Sequence, residues 1–290
     1  MIVIAIANLK GGVGKSTTTL LVAEHWALEG RKVLVIDFDP QSNASFMLLS
    51  RRRVDQLELA KRTLPHLFAD ARNGSMRPAL DYVAFHASDL VELGPGNGHG
   101  GRVSVLPSIP RLWFDEYEFV KHCYLNGADP VEERTKILRA FLSELGAYYG
   151  YALLDCPPGF STLTRSALRL ADKIVAPTIA DNTSVRSLRD FVKIGLRETL
   201  GIEPRSKLHV VISKFSPWNN QRAVLDGLKN AYNVVLPAVP MRDQLLSVSE
   251  NLDGRTRTYA QKYRRPLYSP LAPHVSGMCD ALHRAILESR

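Results

Sequence analysis

A glycine-rich loop close to the N-terminus constrains the fold of this chain more than any other feature. An apolar run at residues 2–7 leads into residues 10–17, which read Lys-Gly-Gly-Val-Gly-Lys-Ser-Thr. Helical periodicity follows from residue 16 to residue 28. A buried strand, a glycine loop and a helix N-terminus together form a cradle whose backbone N–H groups bind phosphate oxygens. The alternative is an ordinary glycine turn between a strand and a helix.

The loop contains two lysines. We expect Lys15 to reach the β- and γ-phosphates of a nucleotide and the hydroxyl of Ser16 to bind Mg²⁺. The ordinary phosphate-loop pattern has a glycine at position 9, where this chain has Leu9. A second lysine, Lys10, stands at the loop entrance instead. Two cations at one phosphate site make the nucleotide interpretation more specific than one.

Acidic residues follow two further predicted strands. Residues 37–41 read Asp-Phe-Asp-Pro-Gln, and on an extended chain Asp37 and Asp39 share a face. One would support Mg²⁺ and the other would orient an attacking water, although a solvated loop with a helix cap is the alternative. Residues 153–159 have the form of a Walker B strand, whose Asp155 would hold the magnesium shell. We expect Cys156 to be a small packed residue.

Strand and helix patterns alternate along the chain. Strands are predicted at residues 2–7, 33–37, 103–106, 151–155, 173–177, 208–212 and 234–236, and helices at 16–28, 131–145, 184–200, 221–232 and 275–287. Continuous apolar strands are typical of a parallel sheet covered on both faces. The chain is therefore predicted to be a doubly wound α/β protein with a mostly parallel sheet flanked by helices. We expect one domain over residues 1–290, with a less regular helical and loop insertion at about 46–102.

Composition narrows the function classes. The net charge of +8 and the isoelectric point near 9.4 favour a polyanionic partner, although a merely basic soluble enzyme has the same balance. Three widely spaced cysteines without a Cys-x-x-Cys pair argue against a disulfide framework and a zinc site. No apolar run approaches the ~18–20 residues that span a bilayer. We expect a cytoplasmic protein.

The three motifs, in this order, resemble those of the ParA branch of the deviant Walker A ATPases, which partition plasmids, chromosomes and other cargo in bacteria. The resemblance implies a P-loop NTPase fold of the deviant Walker A type, ATP and Mg²⁺ as cofactors, and slow, partner-stimulated hydrolysis of ATP. It covers nearly the whole chain and is weakest at residues 46–130. Two departures are mild, because Leu9 and Ser42 replace residues that carry no catalytic group.

The resemblance also implies roles for individual residues. Lys10 is the signature lysine, which reaches the nucleotide of the opposite subunit in an ATP-sandwich homodimer. Lys15 and Asp39 complete the catalytic set, with Asp39 orienting water. The implied nucleotide-binding set is Lys10, Gly11, Gly12, Val13, Gly14, Lys15, Ser16 and Thr17, in which Lys10 acts on the opposite subunit's nucleotide and the others on the subunit's own. The predicted metal set is Ser16, Asp37 and Asp155, and the predicted adenine contacts are Pro240 and Met241.

The anchoring surface separates the branches of this family. ParA-like proteins bind DNA without sequence specificity, whereas MinD-like proteins bind membrane through a C-terminal amphipathic helix. The C-terminal segment here has few bulky apolar residues, so we expect it to pack on the core. Residues 255–265 hold five cations and no acid, which predicts phosphate contacts without base reading, against the alternative of an ordinary solvated face. The predicted DNA contacts are Arg255, Arg257, Lys262, Arg264 and Arg265.

Together these features predict a DNA-positioned partition ATPase that associates with the nucleoid. A ParB-like adaptor on the DNA or protein cargo would stimulate its hydrolysis. A MinD-like positioning ATPase at the membrane is the alternative. A relative of the nitrogenase iron protein is a poor third, because only Cys156 lies near a nucleotide motif.

Overall fold

A computed structural model of the chain describes residues 1–85, 101–204, 207–216, 220–241 and 270–289. Its strands are β1 (Ile2–Ile6), β2 (Lys32–Asp37), β3 (Ala84–Phe85), β4 (Arg102–Leu106), β5 (Tyr151–Asp155), β6 (Lys173–Thr178), β7 (Leu208–Ile212) and β8 (Val234–Val235). They form one sheet in the order β3-β4-β2-β5-β1-β6-β7-β8. Neighbouring strands are parallel except β3 and β4, which are antiparallel.

Helices connect these strands. They are α1 (Lys15–Leu28), α2 (Asn43–Leu49), α3 (Arg51–Leu59), α4 (Leu64–Arg72), α5 (Leu112–Leu125), α6 (Pro130–Leu145), α7 (Thr162–Leu170), α8 (Asn182–Asp190), α9 (Gln221–Ala231) and α10 (Ala272–Glu288). A short 3₁₀ helix spans Ala79–Asp81, and α8 continues directly into a π-helix, Phe191–Thr199. None of the described helices is long and apolar enough to cross a membrane.

The sheet separates two apolar cores. Alternate residues of β1 face opposite sides, so that Ile4 and Ile6 join the core that contains Trp26, whereas Ala5 joins the core that contains Phe141. Because every strand in the middle of the sheet is covered on both faces, its sequence is apolar throughout. This is the doubly wound architecture that the alternation of strands and helices predicts, and the predicted fold class is confirmed.

The predicted insertion contains real secondary structure. Helices α2 to α4 pack onto the sheet, with Leu48 in one core and Leu67 in the other. The antiparallel edge strand β3 and helix α5 were not predicted, since a two-residue strand and a helix with apolar residues on two opposite sides both lack a clear period. Residues 86–100, the rest of this region's predicted loop, lie outside the described residues. The single domain over residues 1–290 stays a prediction.

Candidate functional site

A polar cavity of about 540 Å³ opens where the carboxyl ends of β1, β2, β5 and β7 meet. Its lining is Gly11, Gly12, Gly14, Lys15, Ser16, Thr17, Asp39, Gln41, Asn43, Phe46, Met47, Pro158 and Lys214. Ligands in open parallel sheets bind outside these strand ends. The structure therefore brings the glycine loop, the acidic segment after β2 and the proline turn after β5 to one place.

Backbone conformation and two hydrogen bonds fix the shape of the glycine loop. Gly12 and Gly14 adopt positive φ angles of 72° and 85°, a conformation that strains any residue with a Cβ atom. Ser213 donates a hydrogen bond to the Val13 carbonyl at 2.7 Å, and the ammonium of Lys214 donates to the Gly12 carbonyl at 2.8 Å. With these two carbonyls bound by Ser213 and Lys214, the loop has the shape of an anion cradle in front of the α1 N-terminus.

The two loop lysines point to different places. The ammonium of Lys15 donates to the Lys10 carbonyl at 3.1 Å and lines the cavity. Burial lowers the pKa of Lys15, and the nearby charge of Asp155 acts in the opposite direction. The ammonium of Lys10 instead donates to the Ser184 hydroxyl at 2.8 Å and lies 3.6 Å from the Asp181 carboxylate. Lys10 thus rests on the start of α8, outside its own cavity lining.

Asp155 supplies oxygen atoms suited to a hard cation. One of its carboxylate oxygens accepts from the Ser16 hydroxyl at 2.7 Å and the other from the Thr19 hydroxyl at 2.8 Å. Burial raises the pKa of Asp155 to about 6. Magnesium prefers carboxylate, hydroxyl and water oxygens. The donor set therefore fits Mg²⁺, which Ser16 and Asp155 would hold.

Asp37 and Asp39 have separate surroundings. Strand β2 ends at Asp37, whose fully buried carboxylate accepts from the Asp39 N–H at 2.9 Å, the Ser45 N–H at 2.8 Å and the Ser45 hydroxyl at 2.7 Å. Of these two aspartates, Asp39 lines the cavity and Asp37 does not. The expectation that the two carboxylates share a face is wrong, because the extended chain stops at Asp37 and turns. Burial, followed by the charge of Asp155, raises the pKa of Asp37 well above its usual range.

These contacts give Asp37 a structural position in the loop before α2. No observation tests its predicted part in binding magnesium. Its hydrogen bond to the Asp39 N–H helps to fix the position of Asp39. The carboxylate of Asp39 accepts from the Gln41 N–H at 2.9 Å, which orients it at the cavity edge.

The turn after β5 forms another wall. Pro158 lines the cavity, and Gly159, at a φ of 90°, donates its N–H to the Leu9 carbonyl at 3.1 Å. The turn and the start of the glycine loop are therefore directly bonded. Cys156 is buried, and burial raises the pKa of its thiol far above the usual range. The prediction that it is a small packed residue is confirmed.

The C-terminal helix packs on the core, as the sequence predicts. Helix α10 buries Val275, Met278, Cys279, Leu282 and Ile286. The indole N–H of Trp26 donates to the Cys279 carbonyl at 3.2 Å, which joins α10 to α1.

Two sets of predicted contacts remain untested. Pro240 and Met241 pair with the segment after β7, where the Met241 N–H donates to the Phe215 carbonyl at 2.9 Å. Neither residue is in the cavity lining, and Met241 is 60% exposed. Their adenine contacts stay predictions. The predicted DNA contacts, Arg255, Arg257, Lys262, Arg264 and Arg265, lie outside the described residues.

Sequence reasoning missed several residues at the site. Lys214 follows the end of β7, and Ser184 lies in the first turn of α8. Both positions follow predicted strands, so a search for polar side chains after every strand would have found them. Gln41, Asn43, Phe46 and Met47 complete the missed part of the lining.

Comparisons with known proteins identify the family of the chain. A family model described as "AAA domain" matches residues 1–198. The chain is 31% identical over 207 residues to the chromosome partitioning protein ParA of Myxococcus xanthus, a match that covers 69% of this chain. It spans less than two thirds of that relative, 62% of its length.

Two solved structures have the same fold. The apo form of McdA from Cyanothece matches with a TM-score of 0.70 at 20% identity, over 99% of both chains. Cobyrinic acid a,c-diamide synthase from Mycobacterium smegmatis, with bound ADP and magnesium, matches with a TM-score of 0.69 at 21% identity. That match covers 100% of this chain and 97% of the synthase. At these identities the likeness extends to the fold alone.

Proposed function

Because the chain belongs to the AAA-domain family, in its ParA-type P-loop ATPase branch, we propose that it is an ATP-dependent partition ATPase. It binds ATP and Mg²⁺ in the cavity, forms an ATP-sandwich homodimer, and positions a DNA or protein cargo by binding DNA non-specifically. The observation that carries the proposal is the divergence of the two loop lysines. Lys15 lines its own phosphate cavity, whereas Lys10 lies outside it on Ser184.

The cavity residues bind and orient the nucleotide. Backbone N–H groups of Gly11 to Thr17 and the ammonium of Lys15 bind the phosphates, and Ser16 with Asp155 holds the magnesium. When bound, magnesium-ATP supplies the phosphoryl group that is transferred to water. The lowered pKa of Lys15 supports this role, since a buried cation without an anion is costly and a phosphate would compensate it.

Asp39 orients the attacking water at the cavity edge. Its carboxylate is held by the Gln41 N–H, and its own N–H is bound to Asp37, so its position depends on both neighbours. The turn at Pro158 and Gly159 detects the γ-phosphate, because it forms a wall of the cavity and is bonded to the loop at Leu9.

Lys10 completes the site of the second subunit. A cation brought to the γ-phosphate stabilises negative charge in the transition state of phosphoryl transfer. Since Lys10 is turned away from its own cavity, hydrolysis depends on dimerisation. A ParB-like adaptor on the cargo accelerates the otherwise slow hydrolysis of ATP. The rate of hydrolysis then sets the lifetime of the dimer.

DNA is the anchor that the charge supports best. A net charge of +8 favours phosphate contacts, which puts the protein on the nucleoid. The MinD-like alternative has less support, because the apolar residues of α10 are already buried against the core. An iron–sulfur protein has less still, since Cys123, Cys156 and Cys279 are all buried.

Co-sedimentation with plasmid DNA and with anionic liposomes, each with ATP or ADP, tests the anchoring. We expect ATP-dependent sedimentation with DNA and none with liposomes. The double variant Arg264→Glu with Arg265→Glu should weaken DNA binding and reduce its salt dependence. Arg139→Glu, an exposed cation on α6, is the matched control. ATP-dependent binding to liposomes without DNA binding would overturn the proposed anchor.

A further inference from the structure

Helix α5 is apolar on two opposite sides. Its inner side is buried and consists of Leu112, Phe119 and Cys123. Its outer side presents five large residues that are 61–77% exposed: Trp113, Phe114, Tyr117, Tyr124 and Leu125. At 3.6 residues per turn these five fall within a sector of about 120° on one side of the helix, which we call the outer face of α5. The apolar face of a helix is ordinarily covered by another element or by a partner.

The outer face has the area of a protein interface. An aromatic side chain presents about 150–250 Å², so the five residues expose roughly 500–800 Å² at their observed exposures. The largest apolar patch of a typical monomer is about 300–600 Å². A specific interface of ordinary size takes about 800 Å² from each partner. The remaining large exposed residues, such as Leu59, Phe85 and Ile194, lie on other elements.

Two opposite charges also lie on this side of the helix. Lys121 falls within the outer face, one turn from both Tyr117 and Leu125, and Glu118 falls at its edge. Glu118 and Lys121 are both exposed on the solvent side of α5. Within the part of the chain that the structure describes, neither forms an ion pair. A neutral partner surface would leave both charges without a partner beside an apolar contact. A surface with the same two charges in reverse order would pair them.

A second copy of α5 provides that reverse order. When two copies run antiparallel about a two-fold axis between positions 119 and 120, Glu118 of each lies opposite Lys121 of the other. The same axis brings Phe114 opposite Leu125 and Trp113 next to Tyr124. Self-complementarity of this kind is what a two-fold interface requires, because one patch must fit itself.

We propose that the outer face of α5 is a two-fold interface between two copies of this chain that forms without nucleotide. It lies apart from the nucleotide cavity, since α5 contributes nothing to the cavity lining. A chain with two different two-fold interfaces assembles into closed tetramers or open filaments. Nucleotide-free pairs would therefore be the units that ATP joins.

Sedimentation equilibrium of the full chain in EDTA, without nucleotide or DNA, tests this interface over a series of protein concentrations. We expect a reversible monomer–dimer equilibrium. The double variant Trp113→Ser with Tyr117→Ser should weaken dimerisation at least about tenfold, because exposed aromatic anchors carry most of an interface's free energy. Ile194→Ser, an exposed apolar residue on the π-helix, is the matched control and should leave the constant unchanged.

Charge reversal distinguishes this pairing from a general loss of structure. Glu118→Lys and Lys121→Glu should each weaken their own dimer, because like charges then face each other. An equimolar mixture of the two variants should recover the wild-type affinity as a heterodimer, since both pairs again carry opposite charges. Circular dichroism checks that each variant is folded.

Three results would overturn the proposal. The first is a wild-type chain that stays monomeric at every concentration. The second is a dimer that the outer-face substitutions do not weaken, or charge variants whose mixture does not recover. The third is a monomeric chain whose outer face binds liposomes instead and loses that binding in the Trp113 variant. Since no nucleotide or DNA is present, failure of the proposed ATPase or DNA function would leave these results unchanged.

Discussion

Asp37 and Asp155 lie side by side at the ends of β2 and β5, where the register pairs them directly. Both are fully buried, and burial raises the pKa of both. Their donors differ. Among the described residues, the donors to the Asp155 carboxylate are the side-chain hydroxyls of Ser16 and Thr19. Asp37 accepts from two backbone N–H groups as well as from the Ser45 hydroxyl.

The difference shows that one sheet edge gives two residues of the same type different hydrogen-bond donors. A hydroxyl such as that of Ser16 can rotate and give up its bond to Asp155, which frees that carboxylate for magnesium. The backbone donors around Asp37 cannot leave without unfolding the loop, and Ser45 is itself bound by the Ser108 N–H at 2.9 Å. The kind of hydrogen-bond donor at each carboxylate, and not its burial, therefore distinguishes Asp155 from Asp37.

Replacing Asp37 should have the largest effect. Asp37→Ala leaves two buried N–H groups and one hydroxyl without their acceptor, and we expect the free energy of unfolding to fall by about 3–5 kcal/mol. Urea denaturation of the nucleotide-free protein measures this. Asp39→Ala is the control, with a loss of about 1 kcal/mol, since one N–H loses its acceptor. Equal stability of the two variants would remove the distinction between the neighbouring aspartates.

The same control variant has a separate outcome in activity. Asp39→Ala should bind ATP and accumulate as an ATP-bound dimer on DNA, because its water-orienting carboxylate is gone. Phosphate release measures turnover, and normal turnover by Asp39→Ala would disprove the assigned role.

The two lysines should separate binding from hydrolysis. Lys15→Ala should weaken binding of magnesium-ATP at least about 100-fold, or ~2.7 kcal/mol, because the cavity loses its buried cation. Lys10→Ala should bind ATP within about threefold of the wild type, yet lose stimulated hydrolysis. Calorimetry and phosphate release measure the two effects. Equal loss of ATP binding in both variants would contradict the outward position of Lys10.

The pH dependence of stability should follow the raised pKa of Asp155. Its pKa rises from 3.8 to about 6 on folding, so the folded state keeps a proton that the unfolded state has lost. The free energy of unfolding should therefore fall by about 2 kcal/mol as the pH rises from 4 to 6. Asp155→Asn should flatten this part of the profile, because its amide does not titrate. A wild-type profile that rises over this range would contradict the prediction.

The smallest effects distinguish the two hydroxyls on Asp155. Thr19→Val should lower the free energy of unfolding by about 1 kcal/mol, since Thr19 is fully buried. Ser16→Ala should cost less stability and instead weaken the magnesium dependence of ATP binding, because Ser16 lines the cavity. Thermal unfolding and a magnesium titration measure both. A reversal of the two effects would exchange the proposed roles.

Much of the fold was predictable because its signals are local. Continuous apolar runs identified the central strands, and glycines such as Gly30 and Gly201, both at positive φ, ended helices where predicted. The π-helix after Asp190 was not predictable, since its hydrogen bonds differ from those of an α-helix while its residues do not. Helix α5 has exposed aromatic residues opposite its buried side, so its pattern carries no clear helical period to detect.

The residues of the site also differ in how far the sequence could predict them. The loop ligands from Lys10 to Thr17 are contiguous, and the chemistry of each follows from its neighbours. Lys214 reaches Gly12 from 202 residues away, and Ser184 reaches Lys10 from 174. No local pattern records such contacts, because they depend on how strand ends are brought together.

The sequence by itself determined the phosphate loop, the parallel α/β fold and the acidic residues beside them, since glycine conformations and apolar runs act over a few positions. Only the tertiary structure decided which lysine faces the cavity, which donors bind each buried aspartate, and that α5 leaves an apolar side in water. Those outcomes depend on contacts between distant segments, where the geometry of packing selects among side chains that are chemically the same.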